Sequence, residues 1–233
     1  AATILWAAAL LRRRRQRCRG RIPTIARRAA GTATVTLRPP NAKVPEDYRA
    51  AGVVFFTRGE GGEVAHVLLG VEDRKVSLKD LGAAPGSGSA RRDVLLFPQG
   101  KREPCDRSFV DTAAREFIEE TADPQGLAKM LQAMAPRPPT AWFAFAKMAV
   151  AFCEVPAQVA STSPVPAASR GAAAALPLRP VWVGVEELRF ALAAPPGTTL
   201  ETALGPFPLF PMTRRFFLQR REAASWLGLL TPP

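Results

Sequence analysis

The chain has 233 residues, 47% hydrophobic and 22% charged, which excludes wholesale disorder and leaves enough apolar material for a sizeable core. Three cysteines and one histidine exclude a disulfide scaffold, a four-cysteine zinc site and HExxH zinc chemistry. The net charge of +12 is unevenly placed: eleven of the 32 basic residues fall in residues 1–45, which hold no acidic residue, and the other 21 face all 20 acids. The strongly basic character therefore belongs to the N-terminus, and the rest is close to neutral.

Residues 1–11 (AATILWAAALL) are apolar and are followed by RRRRQRCRGR. A secretory signal carries its positive charges before the apolar run, so this order argues against one. An Arg-rich, acid-free N-terminus is expected to be an organelle transit peptide, addressed to the mitochondrion. A basic arm that stays on the protein, and an arm that contacts RNA by neutralising phosphates, are the alternatives. No run of 18 apolar residues occurs, so no membrane span is expected. The expected organisation is an arm over 1–45 and one domain over 46–233.

The texture changes at residue 50. Residues 51–57 (AGVVFFT) are β-branched and aromatic and predict a buried strand; RGEGGE predicts a turn, and residues 64–71 (VAHVLLGV) the partner strand. His66 lies in that strand and reads as structural. Residues 82–90 (GAAPGSGSA) predict a flexible loop, and 93–97 (DVLLF) a short strand. A polar loop, PQGKREPCDR, leads into a helix over 108–122, with Ser108 or Asp111 as its cap. A short helix is expected over 127–134, and one or two strands over 141–155. Residues 156–180 are rich in Ala, Pro and Ser without periodicity and predict a surface insertion. A strand over 181–185, a short helix over 186–193, a Pro-rich loop over 206–211 and a C-terminal helix over 212–229 complete the series. The alternation of strand, loop and helix indicates an α/β domain.

The chemistry is concentrated in the helix containing AAREFIEET. Glu116, Glu119 and Glu120 stand at i, i+3 and i+4, which puts three carboxylates on one face. Like charges at that spacing cost roughly 0.2–0.5 kcal/mol per pair in an isolated helix. Two offsets present themselves: the neighbouring Arg115, and a hard divalent cation that takes carboxylate oxygens. The opposite face carries Ala113, Ala114, Phe117 and Ile118 and can pack on a sheet. A solvated acidic face on an unrelated α/β protein is the plain alternative, and it predicts no glycine loop opposite the helix.

The segment Phe97-Pro98-Gln99-Gly100, followed by Asp106 and by Arg115-Glu116-Phe117-Ile118-Glu119-Glu120-Thr121, resembles the signature of the Nudix hydrolases, G-x5-E-x7-R-E-U-x-E-E-x-G-U, with U bulky and aliphatic. The Phe-Pro-Gln-Gly form resembles members acting on dinucleoside polyphosphates, diphosphoinositol phosphates and RNA 5′ ends. The likeness is close over residues 100–123 and weak elsewhere. It departs in three places: one extra residue separates Gly100 from Arg115, the first acidic position falls on Asp106 or else Glu103, and Ala122 stands where the pattern has Gly. The extra residue falls in a loop, where length is cheap.

The resemblance implies an α/β/α sandwich with a mixed sheet and hydrolysis of a nucleoside diphosphate linked to another moiety. It implies that Glu116, Glu119 and Glu120, with the Gly100 carbonyl, hold Mg²⁺ or Mn²⁺, and that Arg115 orients the glutamates. Lys101 and Arg102 are candidates to meet substrate phosphates. A distant base would come from Glu154, Glu186, Glu187 or Glu201, and a base-stacking ring from Phe55, Trp142, Phe143 or Phe145. Substrates would be a dinucleoside polyphosphate or a 5′-polyphosphorylated RNA. The competing reading is a non-catalytic Nudix-fold subunit of an organellar RNA or ribosomal assembly.

Overall fold

Strand β1 (Ala50–Arg58) is buried on both faces, as its unbroken apolar run requires. Alternate side chains feed two cores. Val54 and Phe56 enter one, and Ala51, Val53 and Phe55 the other. In the computed structural model, which describes residues 37–123, 125–161 and 177–231, β1 is the joint of a seven-stranded mixed sheet. It pairs antiparallel with β2 (Val64–Ser77) at one end, and antiparallel with β4 (Gln99–Lys101) at the other. Along its opposite edge it pairs parallel with β6 (Met148–Glu154), from Ala50↔Met148 to Phe56↔Glu154. β2 also pairs with β3 (Ser89–Leu96) and β7 (Arg179–Gly184), and β5 (Thr140–Phe143) closes the far edge on β6.

Helices cover both faces. α1 (Phe109–Thr121) and α2 (Leu127–Ala133) lay Val110, Ala113, Ala114, Phe117, Leu127 and Leu131 on the face of Phe55. After the short α3 (Ala157–Ser161), the helices α4 (Val185–Ala193), α5 (Pro211–Gln219) and α6 (Arg221–Trp226) cover the other face. There Phe216 packs among Phe97, Phe143, Phe152 and Phe217, with ring centroids 5.2–6.5 Å away. The expected α/β/α sandwich with a mixed sheet is thus the architecture found. Among the described residues no helix is long and apolar enough to cross a membrane.

Residues 37–45, assigned from sequence to the basic arm, include a stretch tied to the sheet: Asn41 bridges Thr140, and the Ala42 amide donates to the Thr140 carbonyl at 2.9 Å. Residues 1–36, with the transit-peptide expectation, and residues 162–176 of the Ala/Pro-rich segment lie outside the described residues.

Three local expectations need correction. The 206–211 segment is not simply a loop, because β9 (Gly205–Pro208) pairs with β8 (Thr199–Thr202) in a separate two-stranded sheet. Prolines 206 and 208 are tolerated because edge strands leave N–H positions unpaired. The C-terminal helix is two helices broken at Arg220 (φ −95°, ψ 61°), so that Phe216 and Phe217 of α5, and Ala223 and Ala224 of α6, all reach one core. No Gly or Pro marks that break. The loop expected over 82–90 surrenders Ser89 and Ala90 to β3, which pairs with β2 out to Ser77.

α1 starts and ends on identifiable chemistry. The Ser108 hydroxyl accepts the Asp111 amide at 3.2 Å, which settles the cap in favour of Ser108. Ala122 ends the helix at φ 59°, in the left-handed region where Cβ is penalised, and its amide still reaches the Ile118 carbonyl at 2.8 Å. Ala122→Gly relieves that penalty at the cost of some unfolded-state entropy. It should stabilise the chain by about 1 kcal/mol, raising Tm by ~2–4 °C for a domain of this size. Thermal unfolding followed by circular dichroism checks this, and an unchanged or lower Tm would contradict it.

Candidate active site

The site forms where the β4 loop meets α1. Gly100 lies opposite Ala51 of β1, and a Cβ built on Gly100 would fall inside the Glu116 carboxylate. The glycine is therefore needed for close approach, not for an unusual φ. The helix and the glycine loop do stand against each other, as a solvated helix face on an unrelated fold would not require.

Arg115 organises the carboxylates. Its side chain is four-fifths buried, and its five N–H donors meet five acceptors. Nε and Nη2 grip Asp106 bidentately, at 3.1 Å to Oδ1 and 3.0 Å to Oδ2. Nη2 also donates to the Lys101 carbonyl at 2.8 Å. Nη1 donates to Glu116 Oε1 at 3.1 Å and to Glu119 Oε2 at 3.0 Å. Of the two offsets open from sequence, the guanidinium is the one the structure shows. It occupies one oxygen of each glutamate and leaves Glu116 Oε2 and Glu119 Oε1 without a donor among the described residues.

Asp106 is the anchor beneath Arg115. Its Oδ2 also accepts from Thr112 Oγ1 at 2.9 Å and from the Glu103 amide at 2.8 Å, and the Tyr48 hydroxyl lies 3.1 Å from Thr112 Oγ1. Arg115 holds the Asp106 carboxyl down at about 2. The choice between Asp106 and Glu103 falls to Asp106, with Glu103 at 3.7 Å from Arg115 Nη1. The extra loop residue leaves this anchor in place.

Glu120 sits deepest, 9% exposed, with its Oε2 accepting the Gln99 amide at 3.3 Å. Burial, then the nearby Glu72 charge, pushes its carboxyl up to about 7. Burial raises Glu116 as well, against the pull of Arg115. Glu72 of β2 escaped the sequence reading. It is ion-paired to Arg74 at 2.8 Å, while its buried Oε2 has no partner among the described residues. In β2 residues 72 and 74 turn inward while 73 and 75 face solvent, an alternation that four consecutive charged residues do not show in sequence.

The two basic candidates separate. Lys101 is exposed on β4 with its carbonyl accepting from Arg115, and as the neighbour of Gly100, which faces Glu116, it directs its side chain from the opposite face of the strand. Arg102 turns toward residues 46–48, donating to the Glu46 carbonyl at 2.7 Å with its guanidinium 4.5 Å from the Tyr48 ring centroid. It does not join the carboxylates. None of the distant-base candidates Glu154, Glu186 and Glu187 is near them either. Glu154 pairs with Phe56, five residues along β1 from the Gly100 position, or roughly 17 Å at ~3.3 Å per residue. Glu186 and Glu187 follow Gly184, whose partner His66 lies opposite Thr57 at that same far end. Glu201 belongs to the separate β8–β9 sheet. Of the four rings, Phe55 and Phe143 are wholly buried and Trp142 packs partly against the α1 core, whereas Phe145 is 59% exposed with the Arg215 guanidinium 3.6 Å from its centroid. Cys105 is exposed, and burial lifts the Cys153 thiol to about 12, so neither reads as a nucleophile.

No family model and no curated protein matches this chain. Among solved structures it is similar to a Nudix hydrolase from M. smegmatis, RenU, at 17% identity over 83% of this chain and 99% of that one, with a TM-score of 0.35. It is similar also to a mutT/nudix family protein from Listeria innocua, at 16% identity over 83% of this chain and 100% of that one, with a TM-score of 0.37.

Because the folded value of Glu120 is raised, its protonated form favours the fold. That contribution is full below the unfolded value near 4.5 and is lost as pH rises through about 7. In metal-free protein, Glu120→Gln should therefore raise Tm at pH 8 more than at pH 4.5. Thermal unfolding in EDTA across that range checks the sign, and an equal shift at both ends would contradict it.

Proposed function

We propose that this chain is a metal-dependent hydrolase of the Nudix type, cleaving a nucleoside diphosphate linked to another moiety. The observation that carries the reading is the apposition of Gly100 and Glu116 beneath the Arg115 hub. A glycine that a carboxylate's approach explains, and an arginine that spends four of its five donors on three acidic side chains and the fifth on the Lys101 carbonyl, describe a site built to present oxygens.

The donor set fits a hard divalent cation. Glu116 Oε2 and Glu119 Oε1 are left free by Arg115, and the orphaned Glu72 Oε2 lies near Glu120. Among the described residues no three His, Cys, Asp or Glu side chains form a ready cage. Mg²⁺ does not require one, because it is commonly held by one or two carboxylates with substrate phosphates completing the shell. Glu116, Glu119 and Glu120, with the Gly100 carbonyl, would hold Mg²⁺ or Mn²⁺, which neutralises phosphate oxygens and lowers the pKa of an attacking water.

The chain's own residues do the rest. Arg115 is a positioning residue: saturated by its five acceptors, it has no donor left for substrate. Burial raises the Glu120 carboxyl toward neutrality in the metal-free protein, so holding a cation there would release its proton. Lys101, exposed and without an ion pair among the described residues, is the proposed contact for a substrate phosphate. The substrates proposed are a dinucleoside polyphosphate or a 5′-polyphosphorylated RNA, and the Arg-rich N-terminus fits a mitochondrial address.

Product formation from dinucleoside tetraphosphate, 5′-triphosphate RNA, ADP-ribose and diphosphoinositol phosphate, with Mg²⁺ or Mn²⁺ and read by anion-exchange chromatography, tests the reading. Glu119→Gln combined with Glu120→Gln, and separately Gly100→Ala, should each lower kcat by about 100-fold or more. Lys101→Ala should act mainly on KM. No turnover from folded, metal-replete protein would favour instead a binding subunit of an RNA assembly.

A further inference from the structure

A second concave feature lies beyond the loop, at the N-terminal end of α1. It is a cleft of about 710 Å³ between residues 41–48, residues 107–109 and residues 136–140. That size falls within the range of ligand sites. Four cations line it, Lys43, Arg102, Arg107 and Arg137, against one acid, Glu46. The cations come from three separate segments, so their convergence is a product of the fold rather than of a basic run in the sequence.

The state of each cation is informative. Arg102 is pre-set, held by the Glu46 carbonyl and lying over the Tyr48 ring. Arg107 makes only a solvent-exposed pair with Asp111, at 3.3 Å. Lys43 and Arg137 are exposed and make no ion pair among the described residues. Phe109 adds a partly buried ring to the wall. A cationic groove with an aromatic edge suits a single-stranded nucleic-acid backbone.

Position narrows the ligand. Ser108 at the cleft and Glu116 at the carboxylate site are eight residues apart on α1, about 12 Å at ~1.5 Å per residue. Ser108, Thr112, Arg115 and Glu119 fall on one stripe of the helix, with Thr112 buried under Tyr48 and Asp106, so a ligand using both sites passes over the 101–107 loop. A ligand that uses both must carry negative charge well beyond its reacting end. A dinucleoside polyphosphate ends in a neutral nucleoside at that distance, whereas an RNA chain brings one phosphate with every nucleotide.

We infer that this cleft binds the phosphodiester backbone of a single-stranded RNA whose 5′ end lies in the carboxylate site. The inference rests on the hydrolase reading for its direction, and on the cleft alone for its affinity. It assigns to Lys43, Arg102, Arg107 and Arg137 the selection of an RNA over a dinucleoside polyphosphate.

The test separates the two readings. Fluorescence anisotropy of the full chain with a 3′-labelled, 5′-monophosphate 12-nucleotide RNA reads the cleft with a ligand that has no phosphoanhydride to cleave. The double variant K43E/R137E should bind at least tenfold more weakly at moderate salt. Its slope of log affinity against log salt should fall by about 1.4, at ~0.7 for each of two lost phosphate contacts. The neutral pair K43Q/R137Q should show a smaller loss in the same direction. The control K79E/R221E carries the same charge change on exposed residues outside the cleft and should stay within twofold, with all Tm values matched. In turnover, K43E/R137E should raise KM for 5′-triphosphate RNA and leave dinucleoside tetraphosphate unaffected. Wild-type affinity in K43E/R137E, or loss equal to that of the control, overturns the inference. So does an oligoglutamate peptide that competes as well as RNA, which would assign the cleft to an acidic protein. If RNA binding depends on the cleft but no substrate turns over, the inference stands and the hydrolase reading fails.

Discussion

Three glutamates on one face of a helix repel one another, and the guanidinium of Arg115 holds two of them, Glu116 and Glu119, in place. It reaches Glu116 and Glu119 with one nitrogen and spends the other two on Asp106 and the Lys101 carbonyl. Helix and loop are thereby tied at one point. Loss of the fork would release the glutamates and leave Asp106 buried against Thr112 without its counter-charge, an uncompensated carboxylate in a poorly solvated place. Gly100 completes the constraint from the other side, since any side chain there would displace Glu116.

The sheet supplies the rigidity that this arrangement needs. β1 is paired with β4 at Ala50, Ala51 and Gly52, and with β6 along its opposite edge from the same residues onward. The loop carrying Gly100 therefore starts from a strand that is fixed on both sides. Beneath it, Phe117 of α1 meets Phe55 of β1 at 4.9 Å, so the helix presents its carboxylates from a packed base. A backbone held on several sides in this way keeps a constellation closer to its working geometry than a free loop can.

Much of this was legible in the residues. The i, i+3, i+4 spacing of the glutamates, the Ser108 cap and the glycine before a polar loop follow from local periodicity and backbone sterics, and the structure joins them. Ala122 stands where the pattern has Gly, and its φ of 59° lies in the region that favours glycine. What stayed hidden depends on tertiary contact. Glu72 lies in a charged stretch that reads as a strand tip until its inward face is seen. Arg102 sits next to Lys101 in sequence, yet of the two only Arg102 is tied down, by the Glu46 carbonyl and the Tyr48 ring. The break at Arg220 has no residue signature at all, because two core-facing segments rather than a Gly or Pro set it. The basic cleft unites residues from positions 43, 102, 107 and 137, and no linear pattern could have grouped them.

The most direct test of the central claim is to follow dinucleoside tetraphosphate hydrolysis by the full chain in ¹⁸O-water, with Mg²⁺, by phosphorus NMR. Attack by water at a phosphoanhydride puts one ¹⁸O on a single phosphate product, and the account predicts that label in the presence of Mg²⁺ and its loss in EDTA. Folded, Mg²⁺-replete protein that yields no labelled phosphate from this substrate or from 5′-triphosphate RNA would contradict it.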